Sequence, residues 1–368
     1  MLLVSQADAP AYGGIPVVSR LIMDAARAAA IPGTVVSLHD GAAADWRGAW
    51  PNGYGAGGSA LRFAIGAIAR RRHAADDVVL VTHVGLAPVG RTVKTLTGAR
   101  LVVFLHGVEA WRSTRRLTSW GLRAADAFIA NSRFTLTGFR EAHRALASIP
   151  GEVCYLPART LAPRDTGQHQ APATLRVVTV GRLWGRGLEK GQRQLIDVWP
   201  RVVSEYPGAQ LVIVGSGDGG AELERRAADR GVAGDVRVRG PVSDGELDAL
   251  YRTSHVFAMP SRGEGFGLVF AEAMARGLPC IASRLDAGSE VVLHGQTGLH
   301  VDPDDEDELL VALGTLLGDA ALRATMGAAG ARRAADLFSL DAFERRIVAV
   351  LRSRGRPEPA RTAGAAVR

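Results

Sequence analysis

Two glutamates with an apolar run between them are the first residues in this chain that could do chemistry. They lie in the segment Pro260-Ser-Arg-Gly-Glu264-Gly-Phe-Gly-Leu-Val-Phe-Ala-Glu272. Glu264 closes a glycine-rich loop, beside the unpaired backbone N–H groups that any helix start offers. Glu272 lies about two helical turns further on, so both carboxylates can face one crevice. Free N–H groups favour an anion and carboxylates suit a polyhydroxyl ligand, which together suggest a phosphorylated sugar. The plainer alternative is that Glu264 caps the helix and Glu272 is solvated. Two cations, Arg182 and Lys190, flank a second loop. Lys94 and Lys190 are the only lysines among 44 cationic side chains, so a lysine here escapes a strong arginine bias. Positive charge near a helix start fits a diphosphate, with surface solvation as the alternative. His106, followed by Gly107 and Glu109, could hold a substrate hydroxyl or polarise a sugar; a purely structural role is the competing reading for a lone histidine. Gly13 and Gly14 could bring backbone N–H groups against a phosphate, or simply make a turn.

These residues need strands, loops and helices to carry them. Apolar runs at Leu2 to Ser5, Thr34 to Leu38, Val78 to Thr82, Arg100 to Leu105, Ala127 to Ala130 and Val153 to Leu156 alternate with helix-compatible segments. That alternation predicts an α/β fold with a parallel sheet, in which His106 and Asn131-Ser132 fall at carboxyl ends of strands. A second set follows at Leu175 to Val180, Leu211 to Val214, Val236 to Arg239, His255 to Met259, Pro279 to Ser283 and Gly298 to Val301. Ser243 with Glu246 reads as a capping box. Gly215-Ser-Gly217-Asp-Gly-Gly220 matches a dinucleotide fingerprint, but it sits inside the second set rather than at a first βαβ unit, so a dehydrogenase reading is rejected. The acids from Asp302 to Glu308 resemble a metal site and are better read as a helix start.

At 368 residues and 47% hydrophobic composition, the chain is expected to form two domains. The pattern divides it into residues 1–160, a Pro- and Thr-rich linker at 161–173, residues 174–338, an amphipathic helix at 339–354 and a disordered tail at 355–368. No run approaches a membrane span and no leader is evident, so a cytoplasmic location is expected. Cys154 and Cys280 stand far apart without metal-type neighbours and are expected to be buried thiols. Residues 1–160 hold 18 Arg and Lys against 10 Asp and Glu, a balance of +8, and the remainder 26 against 27, a balance of −1. No nucleic-acid motif accompanies the basic half, so it fits an anionic small molecule or a membrane surface better than DNA. Leu61, Phe63, Ile65 and Ile68 beside Arg70-Arg-Arg, and Trp111, Leu117, Trp120 and Leu122, could form membrane-surface helices. Packing of both apolar faces into the core is the favoured alternative.

Taken together, Gly13-Gly14, His106-Gly-Val-Glu109, Asn131-Ser132, Gly181-Arg-Leu, Lys190-Gly, Val214-Gly-Ser-Gly and the E-x7-E pair Glu264 and Glu272 resemble the retaining glycosyltransferases of family four, the group 1 glycosyl transferases. The resemblance spans nearly the whole chain. It implies a GT-B fold: two facing Rossmann-like domains, with an N-terminal acceptor-binding domain, a C-terminal nucleotide-sugar-binding domain and a last helix crossing back. By the same resemblance, Arg182 and Lys190 hold the diphosphate, Glu264 binds donor-sugar hydroxyls and Glu272 binds the ribose. Phe266, Gly267 and Leu268 line the sugar and phosphate, Gly14 approaches the diphosphate, His106 touches the reacting sugar and Val242 contacts the base. Arg182 and Lys190 are spaced more widely than is usual in the family, which leaves Arg186 as an alternative to Lys190.

The expected reaction is transfer of a hexose from a UDP- or GDP-linked sugar to a saccharide or lipid-linked saccharide in exopolysaccharide or envelope glycan synthesis. No cofactor or metal is expected, since no Asp-x-Asp is placed near the site and the cations can do its work. Peripheral contact between the basic domain and an anionic inner membrane face is a further expectation. A nucleotide-sugar epimerase of the same fold and a non-catalytic nucleotide-sugar-binding scaffold are the competing functions.

Overall fold

The computed structural model describes residues 1–8, 14–74, 78–112, 114–159, 174–183 and 190–352. Gly13, the 161–173 linker, Arg186 and the 355–368 tail therefore lie outside the described residues. The chain divides into two compact units, one of Met1–Leu156 together with the chain from Asp341 onward, the other of Pro157–Leu340. The last helix, Leu340–Arg352, buries Ala342, Phe343, Ile347 and Val350 and belongs from Asp341 onward to the first unit. Arg352 donates to the Ala29 carbonyl at 3.0 Å, and the Arg346 guanidinium lies over Tyr155.

The first unit is built on β1 (Leu2–Val4), β2 (Val35–Ser37), β3 (Tyr54–Gly55), β4 (Val78–Val81), β5 (Arg100–Leu105), β6 (Ala127–Ala130) and β7 (Gly151–Val153). They form one parallel sheet in the order β3-β2-β1-β4-β5-β6-β7. The second unit carries β8 (Arg176–Val180), β9 (Gln210–Val214), β10 (Val236–Val238), β11 (Val256–Met259), β12 (Cys280–Ser283) and β13 (Gly298–Val301). These are also parallel, in the order β10-β9-β8-β11-β12-β13. Central strands such as β4, β6, β11 and β12 are buried on both faces, which is why they read as unbroken apolar runs rather than alternating ones.

Strand order reverses once in each sheet, between β1 and β4 in the first unit and between β8 and β11 in the second. Parallel sheets place ligands beyond the carboxyl ends of the strands at such reversals. The loops in question are those that leave β1 and β4, and those that leave β8 and β11. The last pair contains Gly181-Arg182-Leu183 and Pro260 through Gly267, so topology alone brings the cationic and the glutamate-bearing loops together.

Three features depart from the sequence expectation. The strand expected at Val153 to Leu156 is observed at Gly151–Val153, and the two-residue β3 was not foreseen. An 18-residue helix, Ala320–Leu337, carried no recognisable apolar stripe. Its packed face is made of small residues: a Cβ on Gly327 would sit 2.0 Å from the Gly277 carbonyl oxygen, and Gly330 faces Met274. Among the described residues, no single helix is long and apolar enough to cross a membrane.

Candidate active site

In the second unit, Lys190 and Glu264 meet. The Lys190 ammonium donates to Glu264 Oε1, and both side chains are largely buried. The contact depends on Gly191, which has φ +81° and caps the Gln192–Glu205 helix. A Cβ at that position would come within 2.6 Å of Pro260 Cγ and of its carbonyl oxygen. Only glycine can bring this turn so close to the β11 loop. Arg182 is exposed just beyond β8, and its carbonyl accepts from Gln192 Nε2 at 3.3 Å. The Gly215 turn serves the same region: its Cβ would lie 1.7 Å from the Gly181 oxygen. The glycine-rich run after β9 is therefore a close approach between neighbouring strand ends.

Glu264 is braced by a residue that sequence reasoning missed. Asp286, fully buried after β12, accepts from the Ser261 hydroxyl at 2.9 Å, the Glu264 N–H at 3.0 Å and the Gly288 N–H at 2.9 Å. The Ala287 N–H in turn donates to the Glu264 carbonyl. Burial, reinforced by the nearby Glu264 charge, pushes the Asp286 carboxyl up to about 6 against the pull of those donors.

Glu272 does not stand open to a crevice. It is 1% exposed on the Leu268–Ala275 helix, and its two oxygens accept from Arg159 Nε at 2.6 Å and Tyr251 OH at 3.1 Å. Arg159 also reaches Asp244 at 3.3 Å. Arg276 donates to the Glu272 carbonyl and pairs with Asp248, which pairs again with Arg252. Burial and the Glu272 charge hold the Tyr251 phenol well above its ordinary value, so it remains a donor. Glu272 is the centre of a paired polar array, and a ligand hydroxyl would have to share its lone pairs with Arg159 or displace it.

Gly267 has φ +85° and opens the helix that carries Glu272. Phe266 is buried with its ring edge-on to Phe338, at 5.5 Å and 85°, and Leu268 is half-buried. Val242 is half-buried in the loop after β10. The next residue, Ser243, caps its helix in the anticipated box: Ser243 Oγ accepts from the Glu246 N–H at 3.3 Å and Glu246 accepts from the Ser243 N–H at 2.9 Å. The acids near Asp302 also act as expected of a helix start, with Asp305 accepting from the Glu308 N–H at 2.9 Å. Among the described residues, no group of three or more His, Cys, Asp and Glu side chains is disposed to hold a metal ion.

In the first unit, His106 immediately follows β5 and is buried. Its Nε2 lies 2.7 Å from the Thr82 carbonyl, which can only accept, so Nε2 carries the hydrogen. The His106 N–H donates to Glu109 at 2.7 Å, and Asn131 donates to the His106 carbonyl at 2.7 Å. Burial lowers the imidazole pKa and the Glu109 charge opposes that shift; the ring is neutral near pH 7. Gly14 opens the Gly14–Ala28 helix after β1, with no described atom within 4 Å of where its Cβ would stand. Cys154 and Cys280 are both buried and free, and burial pushes the Cys154 thiol up to about 12.

The model of the family described as glycosyl transferases group 1 matches residues 174–319. A GDP-mannose-dependent alpha-(1-6)-phosphatidylinositol monomannoside mannosyltransferase of Mycolicibacterium smegmatis is 34% identical over 272 residues, 68% of this chain and 69% of that protein. The chain belongs to the group 1 glycosyltransferases. A GDP-mannose-dependent monoacylated alpha-(1-6)-phosphatidylinositol monomannoside mannosyltransferase of Corynebacterium glutamicum is 30% identical over 305 residues, 78% of each chain. The crystal structure of Anabaena HepE in complex with UDP superposes with a TM-score of 0.75 at 21% identity, over 94% of this chain and 98% of that one. The fold is GT-B, with two Rossmann-like units, and this glycosyltransferase moves glycosyl groups from nucleotide sugars.

Proposed function

We propose that this glycosyltransferase moves a hexose, with retention of configuration, from a GDP- or UDP-linked sugar to a lipid-linked saccharide in envelope glycan synthesis on the cytoplasmic side of the membrane. The observation that carries the donor half is the Lys190–Glu264 pair, set where the β8 and β11 loops meet. A buried ammonium beside the start of a helix suits a diphosphate, and a carboxylate at the same point suits sugar hydroxyls. The GDP-mannose dependence and glycolipid acceptors of the two mannosyltransferase relatives favour a GDP-linked hexose and a lipid-linked acceptor.

In this reading the donor's C1–O bond to the diphosphate breaks while the acceptor oxygen bonds C1 from the same face. The acceptor proton passes to a phosphate oxygen of the leaving group. Arg182 and Lys190 stabilise the charge that grows on the diphosphate. Glu264 holds sugar hydroxyls, Glu272 the ribose, Val242 the base, and the backbone from Phe266 to Leu268 supplies N–H donors. By the family resemblance alone, Gly14 is assigned to the phosphates and neutral His106, kept in one tautomer by Thr82, to the sugar. No step requires a metal ion.

A panel of UDP- and GDP-hexoses, offered with and without a lipid-linked saccharide, tests the proposal. Transfer, or slow donor hydrolysis when the acceptor is omitted, is the expected outcome. Epimerisation without transfer, or binding without turnover, would replace it with one of the competing functions. Separate Lys190→Gln and Arg186→Gln variants identify the diphosphate cation; full hydrolysis without Lys190 would remove that residue from the mechanism.

A further inference from the structure

The second unit holds a group of cations that the proposed reaction does not use. Arg176 opens β8, at the end of that strand opposite the Gly181-Arg182 loop. In the sheet register Arg176 stands beside Gln210, and Val178 beside Val212, which in turn stands beside Arg237 on β10. Side chains two positions apart on a strand share a face, so Arg176, Gln210 and Arg237 lie on one face of the sheet, and Arg239 follows just beyond β10. The end of the Asp244–Arg252 helix adjoins the same place: Arg176 donates to Thr253 Oγ1 at 2.9 Å and to Gln210 Oε1 at 3.5 Å. Both acceptors are neutral. The buried Nε of Arg176 has no hydrogen-bond partner among the described residues.

Charge around this group is unbalanced. Among the described residues, Glu246 pairs with Arg239 at 3.8 Å, while neither Arg176 nor Arg237 takes part in an ion pair, Asp235 included. Burial, and after it the charges of Arg237 and Arg239, lower the Arg176 pKa from its ordinary value, and among the described residues no carboxylate acts the other way. The guanidinium nonetheless stays charged. A half-buried cation held by neutral acceptors and crowded by like charges carries a desolvation cost that an anion would offset. Since Arg239 shares its charge with Glu246, two guanidinium charges remain, and their planar forks match the oxygens of a phosphoryl dianion. Arginine on an edge strand commonly serves to keep other chains from pairing with it, which accounts for Arg237. It does not account for Arg176, whose strand has neighbours on both sides.

We propose that Arg176 and Arg237 form a second anion site, which takes a phosphoryl dianion and is separate from the site of the donor diphosphate. Equilibrium dialysis of the full chain with radiolabelled inorganic phosphate, at fixed ionic strength and slightly alkaline pH, tests it. The Lys190→Gln variant, impaired at the proposed diphosphate site, should still bind the label. Adding Arg237→Gln to that variant should weaken binding at least about tenfold, as should adding Arg176→Gln, with circular dichroism confirming the folds. If the Arg176 variant does not fold, the exposed Arg237 decides alone. Adding Arg225→Gln/Arg332→Gln, exposed arginines elsewhere in the unit, should change nothing, and sulfate should displace the label where acetate does not. Glucose 6-phosphate that displaces it at lower concentration than phosphate would assign the site to a phosphate ester; displacement at the same or higher concentration would assign it to free phosphate. No binding by Lys190→Gln, unchanged binding on adding Arg237→Gln, equal loss with Arg225 and Arg332 replaced, or displacement by acetate as readily as by sulfate would each overturn the proposal and leave Arg237 as a guard of the sheet edge.

Discussion

Asp286 makes no contact that the sequence would announce, yet the position of Glu264 depends on it. An acid raised to about 6 is mostly neutral below that pH, and its O–H then replaces one of the acceptor sites that Ser261, Glu264 and Gly288 share. The brace is whole above pH 6 and loosened below it. The donor KM is therefore expected to rise, by up to roughly tenfold, as pH falls from 7 to 5. Asp286→Asn should raise KM at pH 7 and flatten this pH profile; a profile that keeps its inflection near 6 in the variant would assign the titration elsewhere. Glu272 calls for a different test, because Arg159 and Tyr251 already occupy both of its oxygens. Replacing it with Gln leaves an acceptor for Tyr251 but removes the counter-charge of Arg159. Breaking a buried pair costs about 3–5 kcal/mol at most, and Arg159 is partly exposed, so a smaller loss in urea denaturation is expected. In kinetics, Glu272→Gln should weaken donor binding with kcat nearly unchanged, and the opposite split would contradict its place at the ribose.

At the scale of elements, the strands were legible because burial on both faces makes them continuous apolar runs, and the reversals in strand order then put Arg182, Lys190 and Glu264 near one another. What could not be read was partnership across the sheet. Asp286 lies 25 positions from Ser261, and Arg159 lies 113 from Glu272; neither separation has a period that a pattern could detect. The Ala320–Leu337 helix escaped because glycine and alanine pack it, and small residues carry little hydropathy signal. The glycines themselves separate into two kinds by surroundings. Gly191→Ala meets a positive φ and Pro260 at 2.6 Å, and should lose at least about 1–2 kcal/mol in urea denaturation while moving Lys190 off Glu264. Gly14→Ala meets no described atom within 4 Å; its stability should stay within about 0.5 kcal/mol of wild type. If Gly14 serves a phosphate, transfer should nevertheless fall in that variant, and equal effects on stability and activity at both positions would erase the distinction.

Across the whole molecule, charge is divided as unevenly as chemistry. Residues 1–160 carry a balance of +8, while the remainder, with every cation and carboxylate of the proposed donor site, is close to neutral at −1. Short-range pairs such as Lys190 with Glu264 are buried and are screened little by salt. A dispersed field of exposed arginines is screened strongly, because the Debye length is about 8 Å at physiological ionic strength. Donor use and acceptor use should consequently respond differently to ionic strength. Raising salt from about 0.05 M to 0.5 M shortens that length several-fold, and the apparent KM for an acceptor embedded in anionic vesicles is expected to rise with it. The donor KM, measured by hydrolysis without vesicles, should change by less than about twofold. The same titration with a water-soluble, lipid-free acceptor is the control, and its KM should follow the donor's. A soluble acceptor that is equally salt-sensitive would place the basic charge at the saccharide itself, and the asymmetry would then belong to substrate recognition rather than to the membrane.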